Sequence, residues 1–206
     1  MTQARSYGGV DAADRLARRR ARLLEAGLEL LGRDVDPAEL TVRGICHEAG
    51  VATRYFYEGF ADKDELVAAV FDWVVTGLAT TTQAAVAAAR PEEKIRAGMA
   101  NIVRTIEQDP RIGRLMFGSG LSNTTVVRKR RESGALFAML SGQHVETTLR
   151  RPANDRITAV AHFVVGGVGQ TISAWLTGEI RLTPDELVDQ LTAILGDLAE
   201  PRLFQD

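Results

Sequence analysis

Thr41-Val-Arg-Gly-Ile-Cys-His-Glu-Ala-Gly-Val-Ala-Thr-Arg-Tyr-Phe-Tyr-Glu-Gly-Phe60 decides how the chain reads. Val42, Ile45, Cys46 and Ala49 repeat at the spacing of one helical face. Gly50 follows where a backbone can enter the left-handed conformation and turn. Val51, Phe56 and Phe60 then hold a second short helix against the first. That second helix shows Thr53, Arg54, Tyr55 and Tyr57 on its outer side. An exposed group of this kind suits a polar groove. Arginine can grip the O6/N7 edge of guanine with two hydrogen bonds, threonine can meet a thymine methyl, and a tyrosine hydroxyl can reach phosphate.

Outward from this stretch the periodicity stays helical. Leu16, Leu23, Leu24, Gly27, Leu28 and Leu31 mark one face of a preceding helix, with Arg15, Arg18, Arg19, Arg22, Glu25 and Glu29 off it. Leu66, Val70, Trp73, Val74 and Leu78 begin a long helix running toward Ala89, and Ile95, Met99, Ile102, Val103 and Ile106 mark the next. A short helix near 111–117 precedes one over about 123–149, with Phe137, Leu140, Val145 and Leu149 inward. Leu187, Leu191, Ile194, Leu195 and Leu198 mark the last. Prolines at 37, 91, 110, 152, 184 and 201 lie between these segments, where a residue that breaks helix interiors is tolerated. Thr183-Pro184-Asp185-Glu186 and Asp62-Lys63-Asp64-Glu65 read as capping boxes, and Asp109 as a cap before Pro110. No alternating strand pattern occurs, so the expected fold class is all-α.

The segment 154–178 differs. Ile157, Val160, Val164, Val168, Ile172 and Trp175 form one stripe, while Phe163, Val165 and the glycines 166, 167 and 169 place apolar or small residues on other faces. Glycine in mid-helix costs about 1 kcal/mol against alanine, which suggests close approach of a neighbour. That neighbour is either a second subunit or the chain's own core.

The 206 residues suffice for one large domain or two small ones, and 45% apolar with 25% charged is an ordinary globular composition. A net charge of −2 is neutral on the question of nucleic acid. One cysteine excludes a disulfide framework and a cysteine-based zinc cluster, and the three histidines, 47, 144 and 162, lack metal-ligand spacing. We therefore expect no metal and no cofactor. No nucleophile elbow, phosphate loop or dinucleotide fingerprint in a strand–turn–helix setting is present, so no enzyme is expected. The start of the chain runs into Arg-rich sequence without an apolar core, and the most apolar stretch carries His162, Gln170 and glycines. A cytoplasmic protein with no membrane partner is the expectation.

The decisive stretch resembles the tetracycline-repressor-like (TetR) transcription regulators. Thr41, Val42, Arg43, Ile45, Ala49, Gly50, Val51, Phe56, Tyr57, Phe60, Lys63 and Leu66 fall in register with that family's N-terminal pattern, and Leu23–Leu31 is similar to its first helix. The resemblance is specific over about residues 15–75. Beyond it, Gly166-Gly167 through Trp175-Leu176-Thr177-Gly178-Glu179 looks like the family's dimerisation helix. Three departures stand out. Ala52 replaces the usual serine cap of the recognition helix, Gly59 the usual aromatic residue or histidine, and Gly44 the acid that would close a box on Thr41. Across 39–63, Arg43, Arg54 and Lys63 face Glu39, Glu48, Glu58 and Asp62, so positive charge must come from residues 1–22, where six arginines oppose two aspartates.

The resemblance implies a three-helix DNA-binding head over 1–65 and a helical effector-binding and dimerisation body over 66–206. It implies a homodimeric repressor that binds double-stranded, palindromic operator DNA and leaves it when a small-molecule effector enters the body. Thr41, Arg43, Thr53, Arg54, Tyr55, Tyr57 and Lys63 would meet DNA. Trp73, Met99, Met116, Phe117, Phe137, His162, Phe163 and Trp175 are candidates for an apolar or aromatic effector site, though such residues equally fill ordinary cores. Gly166, Gly167, Leu187, Leu191 and Leu195 are candidates for the dimer interface. Arg128-Lys129-Arg130-Arg131 reads as a solvated helix face rather than a DNA patch. The rival reading is a helical ligand-binding protein or enzyme with a vestigial head.

Overall fold

A computed structural model describes the backbone of residues 8–33, 40–118, 123–149, 154–198 and 203; within these, the side chains of 8–11, 140 and 142–149 fall outside the description. The arginine-bearing arm before residue 8, Pro37, Pro152 and Pro201, and the inward positions expected for Leu140, Val145 and Leu149 therefore lie outside the described residues. Among the described residues every long element is a helix. In order they are α1 (Gly8–Leu31), α2 (Val42–Ala49), α3 (Thr53–Phe56), α4 (Lys63–Ala88), α5 (Lys94–Gln108), α6 (Pro110–Phe117), α7 (Thr124–Leu149), α8 (Asp155–Leu176) and α9 (Pro184–Leu198), with a short 3₁₀ turn, Pro91–Glu93, before α5.

Local chemistry sets the starts. Asp62 Oδ1 accepts from the Glu65 amide at 2.8 Å, and Asn154 Oδ1 accepts from the Ile157 amide at 2.9 Å. Thr183 and Glu186 close a reciprocal box: the Thr183 hydroxyl accepts from the Glu186 amide at 3.3 Å, and the Glu186 carboxylate accepts from the Thr183 amide at 2.8 Å. Hydrogen bonds donated by the Thr183 amide and hydroxyl hold the Glu186 carboxyl below its usual range.

The main core joins α1, α2, α3 and α4 through Leu23, Leu28, Leu31, Ile45, Phe56, Leu66 and Phe71, all essentially inaccessible, and continues to Leu115 of α6 and Val126 of α7. Gly27 lets α1 and α4 approach closely: a Cβ there would lie 2.7 Å from a Val70 methyl. A second cluster ties Val103 of α5 to Leu187, Val188 and Leu191 of α9, with Met99, Val168 and Trp175 packed against it. The Trp175 indole N–H donates to the Leu182 carbonyl at 2.9 Å.

Short α6 is held at both ends. Arg111 pairs with Glu25 at 2.8 Å and Glu29 at 3.0 Å on α1, and with its own cap Asp109 at 2.7 Å. Arg114 donates to the Gly32 carbonyl. At the other end Arg130 of α7 donates to the carbonyls of Arg114 (2.9 Å), Leu115 (2.7 Å) and Gly118 (2.5 Å), capping the negative end of α6. Burial lowers the Arg130 pKa, while hydrogen bonds from Arg111 lower those of Asp109 and Glu29. The basic run 128–131 is thus only partly a solvated face: Lys129 also pairs with Asp72 of α4 at 2.7 Å.

Four expected inward positions are corrected. Leu16, Trp73, Ile95 and Ile194 are exposed. On α4 the buried seam is Leu66/Val67, Val70/Phe71, Val74 and Leu78, so Trp73, about 100° of helix rotation before Val74, falls on the flank at 43% exposure. Among the described residues α8 is long and apolar enough to cross a membrane by length and composition. In the fold it packs on α7, α6 and α9.

Candidate nucleic-acid interface

The α2–α3 turn is built as its sequence requires. Thr41 caps α2, its hydroxyl accepting from the Gly44 amide at 3.0 Å. Gly50 adopts φ +60°. Its N–H donates to the His47 carbonyl at 3.1 Å and the Val51 N–H to the Cys46 carbonyl at 3.0 Å, the paired bonds of a Schellman stop. A side chain at this conformation would be strained, so the turn depends on glycine. α3 is a single turn whose N-cap, Ala52, offers no side-chain acceptor. Burial pushes the nearby Cys46 thiol up in pKa, and the Thr53 side chain pulls it partly back.

Phe56 and Phe60 anchor the segment, ring centroids 5.7 Å apart and both buried. With that anchor fixed, Thr53, Arg54 and Tyr57 are exposed and Tyr55 half-exposed, on the side away from the core. Arg54 lies against its neighbour: its Nη2 donates to the Tyr55 hydroxyl at 2.8 Å and its Cζ sits 4.7 Å from that ring's centroid. Arg43 and Lys63 are exposed at the first turns of α2 and α4.

The arginines of α1 take a different place from the one expected. Arg19 lies over the Tyr55 ring at 4.0 Å and pairs with Glu58 at 2.5 Å. Arg20 donates to the Gly59 carbonyl at 2.9 Å while lying 4.3 Å over the Phe60 ring, and Arg22 donates to the Gly50 carbonyl at 3.1 Å. Two of these cations, Arg20 and Arg22, therefore hold carbonyls just beyond the ends of α3 and α2, while Arg19 is held by a carboxylate and a ring. Sequence reasoning assigned them to bulk positive charge. Separations of 28 and 39 residues between partners leave no local signal to show otherwise.

The effector candidates do not converge. Trp73, His162 and Phe163 are exposed; Met99 and Trp175 pack on the α5–α9 cluster; Met116 packs on the main core; Phe117 lies beside Gly169; Phe137 is half-buried on α7. A cleft of about 290 Å³ between α4 and α7 is lined by Asp72, Val75, Thr76, Lys129, Glu132, Ser133 and Leu136, none of them a candidate. The dimer candidates divide. A Cβ added at Gly166 or Gly167 would meet nothing within 4 Å, which removes the reading that they pack inside this chain's core. Leu187 and Leu191, by contrast, are 0% and 2% exposed against α5, and Leu195 is half-buried. Leu187 and Leu191 are corrected as interface residues, because the inner stripe of α9 is spent on its own chain.

Residues 23–70 match the model of the bacterial regulatory proteins, tetR family. No curated protein matches the chain. Solved structures resemble it over most of its length. The fatty acid degradation regulator FadR of Bacillus halodurans is 15% identical with a TM-score of 0.68, covering 89% of this chain and 95% of its own. A tetR-family transcriptional regulator of Streptomyces coelicolor is 19% identical at 0.65, covering 87% and 79%. The transcriptional regulator FadR of Bacillus subtilis, in complex with stearoyl-CoA, is 14% identical at 0.66, covering 87% and 97%. At such identities the likeness is one of fold: an N-terminal helix-turn-helix followed by a helical C-terminal region. The matched head, its Schellman turn and its exposed α3 agree: residues 23–70 have the form of the N-terminal head of the bacterial regulatory proteins, tetR family.

Proposed function

We propose that the chain is a homodimeric, cytoplasmic repressor that binds a palindromic operator through residues 1–65 and is released by a small apolar or aromatic effector bound within residues 66–206. The observation that carries the DNA reading is the exposed set Thr53, Arg54 and Tyr57 with half-exposed Tyr55, on a rigid turn inside the family match. Arg54 is the base-reading candidate, with Tyr57, Lys63, Thr41 and Arg43 toward the backbone. Two heads on one face of B-DNA would place half-site centres about 34–36 Å apart, or a multiple of it.

Assembly is supported by what the α8–α9 surface leaves open. Phe163 is 66% exposed within an outward stripe of Ala159, His162, Gly166, Gly167 and Gln170; α9 presents Gln190, Ala193, Ile194 and Asp197 in the same i, i+3, i+4, i+7 order. A two-fold contact between such faces would be isologous and would cover the apolar residues. For the effector, the stearoyl-CoA complex of the Bacillus subtilis neighbour makes an acyl chain a rational first ligand.

Titrating the purified protein against a selected operator at increasing salt tests the reading. A steep fall of log affinity with log salt is expected, and an effector should weaken operator binding by about 1–3 kcal/mol with equal reciprocal loss. No retarded complex at low salt would instead support the rival, a ligand-binding protein or enzyme with a vestigial head.

A further inference from the structure

Glu58 stands where a DNA-binding head gains nothing from an anion. It is exposed, two residues beyond the end of α3, and its carboxylate takes the Arg19 guanidinium at 2.5 Å. The same guanidinium lies over Tyr55, the ring against which Arg54 rests. Beside this pair runs an open groove of about 450 Å³ lined by Ala12, Arg15, Leu16 and Arg19 of α1 and by Glu58 beyond α3, so the pair forms one wall of a groove open to solvent. A carboxylate accepting from a guanidinium presents the geometry and charge that a backbone phosphate would present.

The geometry points to Glu58 as an internal stand-in for phosphate, one that keeps Arg19 on the Tyr55 ring and off the DNA backbone. This inference rests on the DNA-binding reading above. Its consequence is a head that forgoes one phosphate contact. Phosphate contacts carry affinity for any sequence, so withholding Arg19 lowers binding to non-operator DNA, while its seat on Tyr55 steadies the residue beside the base-reading Arg54. Glu58 and Arg19 are thus positioning residues: neither reads a base.

Glu58→Gln tests this, with Glu58→Ala as the second variant and thermal melting to establish that each is folded. Binding to a non-operator duplex is measured from 50 to 200 mM salt. Freed Arg19 should neutralise one further phosphate per head, steepening the log–log slope by about 0.9 per head, so a dimer with both heads on DNA loses about 12-fold more affinity than wild type across that range. Affinity for non-operator DNA at 50 mM should rise, and the ratio of operator to non-operator affinity should fall. Adding Arg19→Gln to Glu58→Gln should restore the wild-type slope. An unchanged slope in both Glu58 variants overturns the inference. So does a steeper slope that survives loss of Arg19, which would mark Glu58 as a general repulsive charge. Absence of salt-dependent binding by the wild type would defeat the DNA-binding reading itself, and is read before any variant is compared.

Discussion

The α1–α4 region and the α8–α9 face use their apolar residues in opposite ways. In the first, Leu23, Leu28, Leu31, Ile45, Phe56 and Leu66 are all at or below 2% exposure, and the outward arginines are tied to named carbonyls and carboxylates. In the second, the inward leucines are spent on α5, while Phe163 at 66% and Ile194 at 43% exposure face outward, with Gly166 and Gly167 on the same side where an added Cβ would meet nothing within 4 Å. A monomeric surface rarely leaves large apolar groups on such a stripe without a use. The difference teaches that the inner core of α1–α4 is completed within one chain, with Leu16 and Trp73 left on its outer side, whereas the continuous outward stripe of α8–α9 supports the proposed two-fold contact.

The largest effect expected is on the finished side. Phe56→Ala removes a fully buried ring and should cost about 3–5 kcal/mol of stability, read as a lower denaturant midpoint together with loss of operator binding; a shift under about 1 kcal/mol would break the contrast. On the open side, Phe163→Glu should leave the helical signal of the monomer intact yet weaken dimerisation by about 2 kcal/mol or more, seen as a shift to monomer in sedimentation. Wild type sedimenting only as monomer at micromolar concentration would remove the assembly reading. Arg54→Ala should cost about 1–3 kcal/mol at the operator and less on other DNA; equal losses would make Arg54 a backbone contact.

The smallest effect concerns pH. Asp109 and Glu29 have carboxyl pKa values lowered mainly by hydrogen bonds from Arg111. A lowered folded pKa gives stability that is present above the ordinary carboxylate range and lost as pH falls through the lowered value. Arg111→Ala should therefore flatten the acid side of the melting-temperature profile. Because these groups are part-exposed, solvent screening limits the effect to about 1 kcal/mol or less.

What the sequence made legible follows the range of the interaction. The Thr183–Glu186 box, the Asp109 cap and the Gly50 turn are closed by residues within a few positions of one another, and each forms as read. The helix order follows from period alone. Trp73, Ile194 and Leu16 were misplaced because an apolar residue at the margin of a stripe is buried only if a neighbouring helix reaches it, and that depends on the tertiary arrangement. The Arg19–Glu58 pair and the Arg130 cap were illegible for a related reason: long charged side chains look alike in sequence whether they meet water, a carboxylate or a row of carbonyls.

The clamping of α6 has a bearing on the order in which the chain folds. Isolated helices shorter than about 12–15 residues are marginal in water, and α6 has only 8. Its first turn is steadied by Glu25 and Glu29 of α1 and its last carbonyls by Arg130 of α7. Neither partner is at hand until α1 and α7 have themselves docked. α6 is therefore a late element, helical only after the segments on both sides of it in space are in place, and among the first to open when either withdraws. Its amide protons should exchange with solvent sooner than those of Leu66 to Val74 in α4, and their protection would time the closure of the α1–α7 frame.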